Sequence, residues 1–131
     1  GILLVPASRS NETAELGWQP FDEATVTTAI ASGRPLVLDF YADWCLPCKE
    51  LDKLTFSDRR VAARLSPMVL YKVDMTRSTP ETDALRARYA VAGVPTIVFY
   101  RGGQEVAGTR LTGFENAEAF LARLDRAEGV K

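Results

Sequence analysis

Cys45 and Cys48 are the only cysteines of the chain, set in Ala42-Asp43-Trp44-Cys45-Leu46-Pro47-Cys48-Lys49. A bridge between them would close over Leu46 and Pro47 alone and restrain little unfolded-chain entropy, so the spacing speaks for chemistry rather than stapling. That chemistry is thiol–disulfide exchange. Cys45 is expected to follow a strand and open a helix, where unpaired backbone N–H groups and the helix dipole favour a thiolate. Cys48 falls on the same helical face, placed to attack a mixed disulfide on Cys45 and resolve it. Pro47 sits in the first helical turn, where it removes few hydrogen bonds and stiffens the loop between the sulfurs. The competing readings are inert buried cysteines or half of a zinc site. Zinc usually takes four ligands, and with no histidine and no further cysteine the chain would have to dimerise or recruit carboxylates.

Other residues bear on that pair. Asp39 lies in an apolar strand with Val37 and Tyr41 on its own face, and a buried carboxylate there could accept the Cys48 proton with a pKa raised by desolvation. Its alternative is a carboxylate on a solvent-facing edge. Asp52 continues the Cys45–Cys48 stripe along the helix, where its charge would oppose thiolate formation; spacing alone favours a surface charge paired with Lys49 or solvent. Pro95, after Ala92-Gly93-Val94, reads on pattern alone as a trans proline at a strand entrance. Trp44 could shield the sulfurs, offer a flat apolar contact to a partner, or simply pack.

The elements that must position these groups follow from the hydrophobic pattern. Asp22 caps a first helix that Gly33 and Pro35 end, and Leu36 to Tyr41 is a short apolar run suited to a strand covered on both faces. Cys45 to Leu54 suits a helix, Ser57-Asp58 begins another through Leu65, and Met68 to Val73 reads as a strand. Ser78 is the expected cap of a helix running to about Tyr89, with Pro80 in its first turn and Glu81 three residues on. Thr96–Tyr100 and Glu105–Leu111 flank Arg101-Gly102-Gly103-Gln104 as a hairpin, and Asn116 opens a last helix with Ala119, Phe120 and Leu124 inward. The order predicts an α/β domain, a parallel crossover half followed by an antiparallel half on one mixed central sheet with helices on both faces. Residues 1–17 read as a tail or linker and 18–131 as the domain.

Composition narrows the function classes. The chain has 131 residues, 47% hydrophobic and 25% charged, the mixture of one globular domain. Its net charge of -1 offers no basic stripe for nucleic acid, and no apolar run approaches the ~20 residues that cross a bilayer. The opening lacks signal-peptide character, which leaves a cytosolic protein or a mature or excised piece of an exported one. The absence of histidine removes Ser-His and Cys-His nucleophile pairs. No cofactor is expected beyond the cysteine pair itself.

Asp39-Phe40-Tyr41-Ala42-Asp43-Trp44-Cys45-Leu46-Pro47-Cys48-Lys49, with Gly93-Val94-Pro95-Thr96 later, resembles thioredoxin-like proteins. Tyr41 to Cys45, Lys49-Glu50, Thr55-Phe56-Ser57-Asp58 and Leu111-Thr112-Gly113-Phe114 resemble, more narrowly, the C-terminal periplasmic domain of the DsbD family of thiol–disulfide interchange proteins. The resemblance covers about Trp18 to Leu124 and implies the thioredoxin fold. It implies a protein-disulfide reductase domain, tethered to a bacterial inner-membrane protein and linked to cytochrome c biogenesis. Electrons would pass from cytosolic thioredoxin to the cysteine pair of the parent's transmembrane domain, then to this domain, then to the parent's N-terminal periplasmic domain. Cys45 would be the nucleophile, Cys48 the resolving thiol and Pro95 a cis-proline lying against the disulfide, with Trp44 and Val94 as further substrate contacts. Asp39 falls where thioredoxins keep a buried aspartate, and Asp52 where this family places an acidic residue, commonly glutamate. Two carboxylates near the sulfurs would keep Cys45 more protonated than its helix position suggests. A freestanding thioredoxin-like reductase, an oxidase and a non-catalytic binding module of the same fold are the alternatives. A monomer is expected.

Overall fold

The computed structural model of the protein describes residues 16–130, so most of the stretch read as a tail, residues 1–15, lies outside the described residues. The elements run β1 (Gln19–Pro20), α1 (Glu23–Ala31), β2 (Leu36–Tyr41), α2 (Leu46–Glu50), α3 (Arg59–Leu65), β3 (Val69–Asp74), α4 (Pro80–Tyr89), β4 (Thr96–Arg101), β5 (Gln104–Glu105), β6 (Leu111–Thr112) and α5 (Ala117–Ala127). A π-helical turn, Leu51–Thr55, extends α2, with Phe56 N–H donating to the Leu51 carbonyl at 2.8 Å.

Strand order is β1-β3-β2-β4-β5, with β6 also on β4. β2 runs parallel to β3 and antiparallel to β4, so the sheet is mixed, as the element order predicts. Occupying the middle of the sheet explains why β2 is apolar on both faces at nearly every position. Leu36, Leu38 and Phe40 pack with Val26, Tyr71, Val73, Tyr89 and Val98 on one face. On the other, Val37 joins Leu51, Phe56, Leu65, Ile97, Phe120 and Leu124, and Leu16 and Trp18 pack against that cluster.

Several local expectations are corrected. The cap of α4 is Thr79, not Ser78: its hydroxyl accepts from Thr82 N–H, and Thr82 Oγ1 accepts in return from Thr79 N–H at 2.9 Å. In α5 the buried residues are Phe120, Leu124 and Ala127, whereas Ala119, about 100° around the helix from Phe120, faces solvent. The expected strand Glu105–Leu111 is interrupted. Gly102 and Gly103, with φ of 67° and 91°, make the turn into β5, but the chain leaves β4 after Val106, whose N–H still donates to the Phe99 carbonyl at 2.8 Å, and regains it only at β6. Gly108 at φ 75° and a Thr109 hydroxyl bonded to the Val106 carbonyl hold that excursion.

Candidate active site

β2 ends at Tyr41 and delivers the chain to the start of α2. Cys45 is the N-cap of that helix, extended at φ -92°, ψ 107°, and its sulfur accepts from Cys48 N–H at 3.2 Å. An N-terminal donor therefore points at the Cys45 sulfur, the arrangement that favours a thiolate there once the bridge opens. Pro47 lies in the first turn. Cys45 and Cys48 are joined in a disulfide with Cα atoms 5.3 Å apart, and each is only 4% exposed. Ala42, Tyr41 and Val94 surround them.

Asp39 is no edge residue. It sits in the central strand at 2% exposure, directly opposite Lys72 of β3 and Ile97 of β4. Lys72 Nζ lies 2.8 Å from Asp39 Oδ2 and 2.8 Å from Asp52 Oδ1, so one ammonium bridges the strand carboxylate and the helix carboxylate. Asp52 is thus paired neither with Lys49 nor with solvent alone; the π-helical turn in which it lies brings it over β3. The rings of Trp18, Tyr41 and Phe56 surround Lys72 Nζ at 5.0, 5.2 and 5.9 Å, aromatic faces that favour the cation. A groove lined by Trp18, Pro20, Tyr41, Lys72 and Asp74 opens beside it.

Burial pushes the Asp39 carboxyl up to about 6; Lys72 pulls it down, and the Asp52 charge adds to the rise. Burial lowers the Lys72 pKa, but the two carboxylates outweigh it and leave the ammonium above the ordinary lysine value. The second oxygen of Asp39, Oδ1, is buried without a hydrogen-bond partner, an acceptor position open to a proton. No motif around the cysteines includes Lys72. A lysine inside an otherwise apolar strand was the available signal, since such a charge demands a partner.

The remaining site residues lie around the cysteines. The Val94–Pro95 bond is cis, as the family resemblance implies and against the trans reading from local pattern; Pro95 is buried at the entrance of β4. Trp44 is 68% exposed and does not pack into the core, and Leu46 beside it is 64% exposed. Among the described residues no cluster of three His, Cys, Asp or Glu side chains could hold a metal, and no helix is long and apolar enough to cross a membrane.

Residues 22–128 match the model of a thioredoxin-like domain family. The thiol:disulfide interchange protein DsbD of Ralstonia nicotianae is 48% identical over 109 residues, which is 83% of this chain and 18% of that protein. Crystal structures of the C-terminal domain of DsbD from Neisseria meningitidis superpose well. The reduced form has a TM-score of 0.68 at 29% identity, covering 86% of this chain and all of that one. The oxidised form has a TM-score of 0.67 at 31% identity, covering 84% and 97%. The chain spans about a fifth of the length of the curated relatives it matches.

Proposed function

This chain belongs to the thioredoxin-like family and, within it, to the DsbD thiol:disulfide interchange proteins, and from that premise we propose that it is an electron-carrying domain of a larger parent. It accepts electrons from a transmembrane cysteine pair of that parent and passes them to the parent's N-terminal periplasmic domain, on the outer side of a bacterial inner membrane. Reductants delivered there would serve disulfide reduction, including that needed for cytochrome c biogenesis. The observation that carries the exchange reading is the Cys45–Cys48 disulfide at the cap of α2, with a backbone donor aimed at the Cys45 sulfur.

In the reduced chain, the Cys45 thiolate attacks one sulfur of a partner disulfide, forming a Cys45–partner bond and expelling one partner thiolate. Cys48 then gives up its proton and attacks the Cys45 sulfur. The Cys45–Cys48 bond forms, the second partner thiolate leaves, and two electrons have passed to the partner. Asp39 is assigned as the proton acceptor for Cys48, because its raised pKa and unpartnered Oδ1 suit a group that takes a proton near neutral pH. Attack of the transmembrane dithiol on the same bond runs the sequence in reverse and reloads the domain. Asp39 and Asp52 supply negative charge near the helix that bears the sulfurs, which restrains Cys45 ionisation, and Lys72 offsets part of that charge.

The test is equilibration of the chain in graded dithiol/disulfide buffers, followed by alkylation and mass counting of free thiols. A two-electron transition on the order of -200 to -270 mV supports a carrier on the reducing side, and one near about -120 mV overturns the direction of flow. A chain that never closes its intramolecular bridge refutes exchange altogether.

A further inference from the structure

Trp44 is exposed, yet its side chain is tied down. The indole N–H donates to the Thr76 carbonyl at 2.9 Å, bridging 32 residues of sequence. The Thr76 hydroxyl accepts the Asp43 backbone N–H at 2.9 Å and donates to Asp74 Oδ1, which also accepts Thr76 N–H at 2.9 Å. Met75 N–H donates to the Tyr41 carbonyl at 2.7 Å, and Cys45 N–H to that of Ala42 at 3.1 Å. The segment after β3 is thus laced to the loop that carries Trp44 up to Cys45.

We propose that Asp74 and Thr76 are positioning residues that preset Trp44 as a docking face beside Cys45 for a polypeptide disulfide, a proposal that rests on the exchange reading above. A large exposed aromatic with its polar edge already bonded has lost most of its rotational freedom before the partner arrives, so less ordering is required at encounter. The hydroxyl is central because it both accepts and donates; valine, of similar shape, does neither. A small disulfide reaches the Cys45 sulfur without leaning on Trp44 and gains little from the device.

The experiment compares the reduced chain with its Thr76→Val, Thr76→Ser and Asp74→Ala variants, measuring second-order rates with insulin, a polypeptide disulfide, and with hydroxyethyl disulfide. Indole N–H exchange is followed by NMR, the Trp44 signal being assigned from Trp44→Phe. Thr76→Val should lower the insulin-to-small-disulfide rate ratio about three- to tenfold, the scale of one lost hydrogen bond, and should speed exchange of the Trp44 indole proton. Thr76→Ser should restore both readouts, and Asp74→Ala should fall between. An unchanged ratio, or equal losses on both substrates, overturns the proposal while leaving the exchange reading intact. A wild-type chain that reduces neither disulfide overturns the exchange reading and this proposal with it.

Discussion

The two faces of the central sheet are built from the same strands and carry different chemistry. On the α1/α4 face, β2 presents Leu36, Leu38 and Phe40, and β3 presents Tyr71 and Val73, an apolar contact in which Phe40 meets Tyr89 at 5.6 Å between ring centroids. On the α2/α3/α5 face, the alternate residues of those strands include Asp39 and Lys72, charges set in a region otherwise as apolar as the first. The buried side chains of the first face carry no charge. On the second, a carboxylate is held where its charged form is disfavoured, beneath the helix that bears the disulfide. Stability is given up where that carboxylate is buried and partly recovered through a neighbour that shares its ammonium between two carboxylates.

The largest expected effect tests the apolar face. Phe40→Ala should remove about 3–5 kcal/mol of stability, read from urea unfolding of the oxidised chain, with little change in the exchange rate per folded molecule. If exchange collapses while the chain remains folded, the two faces are not separable in this way.

Lys72→Met attacks the other face. With its cation gone, the Asp39 carboxyl should rise further, and the variant should lose roughly 2–3 kcal/mol at pH 8. The loss should shrink as pH falls and Asp39 becomes protonated in wild type and variant alike. A pH-independent loss would show that Lys72 contributes packing against Trp18, Tyr41 and Phe56 rather than charge.

Asp39→Asn should act in the opposite direction. A folded pKa of about 6 lies above the ordinary aspartate value, so the native chain binds the extra proton and wild-type stability declines as pH rises from about 4 through 6. The asparagine variant lacks that decline and should gain about 1–3 kcal/mol at pH 8 and nothing below pH ~4. Its resolution step, followed as release of partner thiol from a trapped Cys45 mixed disulfide, should slow on the order of tenfold or more. A gain in stability without slower resolution would assign Asp39 to electrostatics alone.

Asp52→Asn is expected to be mildest, because its carboxylate is half exposed: less than about 1 kcal/mol in stability, with the Asp39 titration observed by NMR moving down as a repelling charge disappears. An upward move would mean that Asp52 matters mainly by holding Lys72 in place.

What the chain alone determined is local. The spacing of Cys45 and Cys48 and the apolar run before them were enough to place a redox pair between a strand and a helix, and the order of hydrophobic periods gave the mixed sheet. Asp39 was legible because a charge within Leu36–Tyr41 has no local reason to be there. Where local chemistry offers near-equal choices, as between Ser78 and Thr79 for a cap, only the folded chain selects the residue. Sheet register decided the rest. That Lys72 stands opposite Asp39 follows from pairing two parallel strands separated by a crossover. That Asp52 shares the same ammonium follows from a π-helical turn with no proline or glycine to announce it. Thr76 reaches Asp43 and Trp44 only because β3 ends beside β2. Such contacts join residues some 20 to 33 positions apart through the sheet, and no periodicity within one segment encodes what a neighbouring strand will place against it.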